Sequence, residues 1–155
     1  MSMSGDRASR LKEALRRIDE AKKTHASELD LAGLIDDLKD VGSELEQLKE
    51  MRSLSLKGCF GLARLDALAK LFWLEMLNFK GCAKILDLQP LACLASLQSL
   101  DLSYCKQIQD LRPLLALGFL QILNLSKCHL GSALGLLRPL LPNLQGLILL
   151  GCGTV

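Results

Sequence analysis

One nine-residue pattern, L-x-x-L-x-L-x-x-C, recurs along this chain at nearly constant spacing, and no other feature restricts the fold as strongly. It reads MRSLSLKGC from Met51, LEMLNFKGC from Leu74, LQSLDLSYC from Leu97, LQILNLSKC from Leu120 and LQGLILLGC from Leu144. The starts are 23, 23, 23 and 24 residues apart, and a weaker copy, ASELDLAGL, begins 25 residues earlier at Ala26. The L-x-L core of each copy alternates as a short strand does, with its leucines on one face. One copy cannot bury its own leucines. Stacked side by side, six copies share a continuous core, so the spacing predicts an array rather than a closed globule.

Between the strand motifs apolar residues continue at every third position. Leu62, Leu65, Leu68 and Leu71 form one such series; Ile85, Leu88, Leu91 and Leu94 the next; Ile108, Leu111, Leu114 and Leu117 the third. A period of three predicts 3₁₀-like returns. Gly131 breaks the series in the following copy, which is also one residue longer, so a bulged return is expected there. Forty leucines in 155 residues are the compositional trace of one side chain reused at equivalent sites.

The five strong copies resemble leucine-rich repeats of the cysteine-containing type. DLQPLACL from Asp87 and DLRPLLAL from Asp110 resemble the return segment of the internalin-like class. The resemblance implies an α/β solenoid, a right-handed superhelix with a parallel concave sheet and short 3₁₀ returns. It implies nothing about the identity of a partner. Residues 26–155 are expected to form the array of six repeats. Residues 1–25 are expected to form an N-terminal capping helix, with Leu11, Leu15, Ile18 and Ala21 on one stripe and the pairs Glu13–Arg17 and Asp19–Lys23 outside it.

Cys59, Cys82, Cys105, Cys128 and Cys152 all stand at position nine of their copies, where they are expected to form an inward structural ladder; Cys93 falls on a return. In this family position nine carries Asn or Cys, whose donor satisfies backbone carbonyls of the turn. A leucine core of this size has no need of disulfides, so reduced thiols and an intracellular, cytoplasmic location are expected. Chemistry is hard to assemble from the remaining residues. There is no C-x-x-C, no H-E-x-x-H and no glycine-rich phosphate loop, and His25 and His129 lie about four repeats apart. No catalytic site, metal or cofactor is expected. A net charge of +2 is too small to imply nucleic acid, and no apolar run reaches the length of a membrane span.

What the array offers is surface. Residues between the strand leucines project to the concave side and predict a partner site comprising Arg52, Lys57, Glu75, Met76, Asn78, Lys80, Asp101, Tyr104, Ile122, Asn124 and Lys127. Met76, Tyr104 and Ile122 are the expected anchors. The flanking row Ala32, Lys57, Lys80, Ser103, Ser126 and Leu150 is expected beside them. At the far end, LILLGCGTV predicts an uncapped C-terminal edge, with Ile148 and Leu150 outward and open to a second copy of the chain or another subunit. The expected function is a non-catalytic protein–protein interaction module. The alternative is a structural subunit or adaptor held within a larger multi-protein assembly.

Overall fold

The computed structural model describes residues 3–152. One α-helix, α1 (Met3–Thr24), precedes six three-residue strands: β1 (Glu28–Asp30), β2 (Ser53–Ser55), β3 (Met76–Asn78), β4 (Ser99–Asp101), β5 (Ile122–Asn124) and β6 (Gly146–Ile148). The strands form one parallel sheet in chain order. Equivalent positions pair, as in Leu54↔Leu77, Leu77↔Leu100 and Leu100↔Leu123, so the sequence spacing is also the sheet register.

Backbone pairing runs past the strands at both ends. Glu75 N–H donates to Arg52 C=O before them (2.8 Å), and Gly58 N–H donates to Lys80 C=O after them (2.8 Å). The polypeptide of each repeat is therefore tied to the next over more residues than the strand alone, which fixes both the register and the turn that follows.

Returns close each repeat. Asp66–Lys70, Gln89–Cys93 and Arg112–Ala116 are five-residue 3₁₀ helices, as the period of three predicts. Asp87 and Asp110 start two of them by accepting the N–H groups of Gln89 (2.8 Å) and Arg112 (2.9 Å), and the prolines beside them sit where no donor is needed. The expected bulge at Gly131 takes a different form: Gly131–Leu140 is one ten-residue 3₁₀ helix, which absorbs the extra residue by lengthening. The first repeat departs further, with a 3₁₀ turn at Leu38–Asp40 and a single α-turn, α2 (Gly42–Leu45).

The core is one cluster of buried leucines, with Phe79 the largest fully buried side chain. Each buried leucine contributes roughly 1.5–3 kcal/mol. At the N-terminal end α1 closes this core, but its buried stripe is Ala14, Ile18 and Ala21 with Leu11 half-buried, and Leu15 is 37% exposed. The expected stripe is thus corrected. At about 100° per residue Leu11, Ala14, Ile18 and Ala21 fall within about 80° of the helix surface, and Leu15 lies about 40° beyond the edge of that arc, so it turns outward. Arg10 pairs with Asp36 (2.6 Å), Arg7 with Asp40 (2.9 Å), and Arg17 donates to Asp30 C=O (2.9 Å), so three arginines fasten the helix to the first repeat. Glu13–Arg17 (2.8 Å) and Asp19–Lys23 (2.6 Å) pair along its outer face.

Candidate functional site

The strand face is built by the parity of the pattern. In the first five repeats the side chains at positions four and six are buried, so positions three, five and seven point to the opposite face; in the last repeat Leu147 is half-buried and Leu149 is 36% exposed. Position five is polar in five strands, and four of these side chains have an internal task. Asp30, Asn78, Asp101 and Asn124 each accept the N–H two residues on, from Ala32, Lys80, Ser103 and Ser126, at 2.8–3.0 Å. The acceptor ends the strand by holding the next peptide in a turn. Asn78, Asp101 and Asn124 therefore each have one acceptor already engaged within the chain. Ile148 breaks the row and is 40% exposed.

Position three carries the apolar part of the face. Met76 and Ile122 are exposed on β3 and β5, with Ser99 on the strand between. Two strand spacings put them about 10 Å apart. At position two Arg52 and Glu75 pair across adjacent repeats (3.6 Å), and Arg52 also donates to Lys49 C=O (2.7 Å). Both side chains are thereby oriented along the sheet edge. Lys57, Lys80 and Leu150 at position seven are exposed, but Ser103 and Ser126 in the same row are buried. The expected flank is corrected at those two positions. Ser126 Oγ accepts from Leu150 N–H (3.2 Å), so its hydroxyl serves the sheet.

Tyr104 and Lys127 occupy position eight, one residue beyond the strand face, in the turn. Their φ angles are +63° and +61°, in the left-handed region that Gly33, Gly58, Gly81 and Gly151 occupy at this position in the other repeats. Two side chains thus project where four repeats have none. Phe60, 71% exposed and near this turn, was not apparent from the strand pattern because it lies at position ten, outside the alternating motif.

Beneath the turn the thiols of Cys59, Cys82, Cys105, Cys128 and Cys152 donate to Leu31, Leu56, Phe79, Leu102 and Leu125 C=O, all at position six of the preceding repeat, at 2.8–3.5 Å. Each of these bonds crosses from one repeat to the next. Burial pushes the Cys82 thiol up to about 12 and that of Cys128 up to about 11, and Cys59 and Cys105 move in the same direction for the same reason. Such thiols stay protonated and act as donors, not nucleophiles. Cys93 is exposed. Among the described residues no group of three or more His, Cys, Asp or Glu side chains is placed to hold a metal ion.

Trp73 is half-buried against the core under the Lys49 ammonium, 4.0 Å from the ring centroid, and Phe72 meets it edge-on at 5.2 Å. His25 lies against Glu50 (3.1 Å) at the exit of α1, and His129 is exposed in the turn after β5.

A chain with this six-stranded parallel sheet, one strand per repeat, is similar in fold to solved structures. A leucine-rich-repeat protein of Leptospira interrogans superimposes with a TM-score of 0.67 at 26% identity, over 85% of this chain and 33% of that one. The chain is a leucine-rich-repeat solenoid. An internalin from Listeria monocytogenes has the same fold, with a TM-score of 0.56 at 20% identity over 89% of this chain and 54% of its own. The solenoid spans about half of that internalin and a third of the Leptospira protein. No protein-family model matches it, and no curated protein is significantly similar. No helix among its described residues is long and apolar enough to cross a membrane.

Proposed function

We propose that the solenoid is a protein-interaction module that holds a partner on its strand face and catalyses no reaction. The observation that carries this reading is the pair Met76 and Ile122, 43% and 45% exposed on a face whose surrounding side chains are fixed by the sheet. Apolar groups standing on a rigid polar surface are characteristic interface anchors, because binding them costs little ordering of the surface. Their separation suits apolar side chains two turns apart on a partner helix, about 11 Å along its axis. Lys57, Lys80, Asp101 and Asn124 supply the polar rim, and Ile148 and Leu150 extend the apolar surface toward β6. We assign the protein to a reducing compartment, the cytoplasm, where the exposed Cys93 thiol would persist.

A second reading, a structural subunit or adaptor in a larger assembly, draws on apolar side chains away from the strand face. Leu86 is 57% and Phe119 71% exposed. Capture of cellular partners by three versions of the protein separates the readings: the native chain, a Met76→Glu, Ile122→Glu variant, and a Leu86→Glu, Phe119→Glu variant. Loss of partners in the first variant alone is the expected result. Loss only in the second would transfer the function to the returns and overturn the strand-face reading.

A further inference from the structure

A second surface lies on the turns that follow the strands. Positions seven, eight and ten of three successive repeats form a shallow, open groove of about 410 Å³, lined by Lys57, Phe60, Lys80, Tyr104 and Lys106 around Gly58 and Gly81. The glycines leave it open, since both have positive φ and no side chain to fill the space. A methyl group placed on either would come to 3.9 Å from the Phe60 ring, so that ring lies along the floor the two glycines make. Tyr104, 43% exposed, stands at the other end. The floor has no spare backbone donors: Gly58 and Gly81 N–H groups already donate to Lys80 and Ser103 C=O (both 2.8 Å). Recognition here falls to two aromatic rings and the ammonium groups around them.

Those ammonium groups lack counter-charges. Among the described residues, ion pairs engage arginines and lysines of α1, of the first repeat and of the returns, but none includes Lys57, Lys80, Lys84, Lys106 or Lys127. No acidic residue lines the groove. The Lys80 ammonium, 5.9 Å from the Tyr104 ring centroid, is instead drawn toward an aromatic face. A neutral apolar segment would cover the rings and strand the charges. A nucleic acid would satisfy the charges, but the cations are all lysine, without the forked guanidinium that grips phosphate, and the adjoining strand face carries Asp101 and Glu75.

We propose that the groove receives an acidic peptide segment of a partner protein. One apolar side chain seats between Phe60 and Tyr104, and flanking carboxylates meet Lys57, Lys80 and Lys106. The assignment rests on the reading of the solenoid as a protein-binding module but not on the strand-face anchors Met76 and Ile122, which lie outside the groove, although the two surfaces share Lys57 and Lys80.

The test is titration of the isotope-labelled 155-residue chain with defined probes, read by its amide spectrum. The probes are a short peptide of glutamates around a central leucine, the same peptide with a central serine, a glutamine version that keeps the leucine, and a single-stranded oligonucleotide of equal charge. The acidic leucine peptide should shift the amides of Gly58, Gly81, Tyr104 and Lys106. The serine and glutamine peptides should bind at least about fivefold more weakly, as should Phe60→Ser and Lys106→Glu variants toward the leucine peptide. Both substitutions change exposed side chains, and unchanged spectra elsewhere would establish that they fold. Equal binding of the serine peptide, preference for the oligonucleotide, or no response at millimolar peptide would each overturn the proposal. Shifts confined to Met76, Asn78 and Ile122 would overturn it while leaving the strand-face reading intact.

Discussion

At Gly58 the backbone needs φ near +68°, a region in which a side chain crowds the following carbonyl. Gly118 has neither a positive φ nor a neighbour within reach of an added methyl group. Gly58→Ala should therefore lower stability by about 1 kcal/mol or more, whereas Gly118→Ala should be neutral or slightly stabilising, both read from urea melts. The thiols give a second contrast. Cys82, buried and held protonated, donates to Leu56 C=O, whereas Cys93 is exposed on its return. In the native state a thiol reagent should modify Cys93 rapidly and leave Cys82, Cys105 and Cys128 untouched until the chain unfolds. Mass spectrometry of the labelled chain checks this, and early labelling of Cys105 would show that the ladder opens. The cysteine positions were legible as a ladder because they recur in register. The carbonyls they meet were not, since these are fixed by how one repeat sits on the next.

For α1 the decisive question is which side chains face the array. Ile18 is 3% exposed and Leu15 37%. Ile18→Asp should thus cost several kcal/mol by placing an uncompensated charge against the first repeat, and Leu15→Asp about 1 kcal/mol or less, measured by thermal unfolding. Sequence periodicity identified the helix and its outer ion pairs but turned the stripe by one residue, because alanine at position 14 carries little hydrophobic signal. The contacting surface of the first repeat selects it for its small size, and that selection is tertiary.

Hydrogen bonds from Arg16 and Arg17 hold the Glu13 carboxyl at about 2, below the usual range. A folded-state value lowered in this way contributes stability above the unfolded value of about 4.3, and the contribution is lost as pH falls toward 2. The melting temperature of the native chain should drop over that interval, and Glu13→Gln should reduce the drop. An identical acid profile for the variant would remove Glu13 from the account. The strands and returns were readable with little ambiguity, since periods of two and three alternate along the chain. The ten-residue 3₁₀ helix at Gly131–Leu140 was not, because an interrupted period does not say whether the extra residue will bulge or extend the turn.

Taken as one object, the molecule is a series of nearest-neighbour interfaces. β3 touches β2 and β4 but not β1, and the return at Gln89–Cys93 packs on those before and after it. Stability should then be shared along the array rather than concentrated at one centre. The candidate surface reflects the same organisation. Its strand-face half could be listed from parity alone, but the groove of Phe60, Tyr104 and Lys106 joins three repeats through position ten, which the alternating motif does not include. Positions three to five pair at a constant separation from β2 through β5, and every inter-repeat thiol bond spans the same two positions. Residues 74–96 accordingly form an interchangeable unit. A chain carrying that segment twice should remain folded, gain one strand and lengthen by about 4.8 Å, measurable by circular dichroism and small-angle scattering. Aggregation or loss of the parallel sheet would show that the copies are not equivalent. If they are, the reach of this protein is set by copy number, and duplication or excision of one segment can change it without redesigning either terminus.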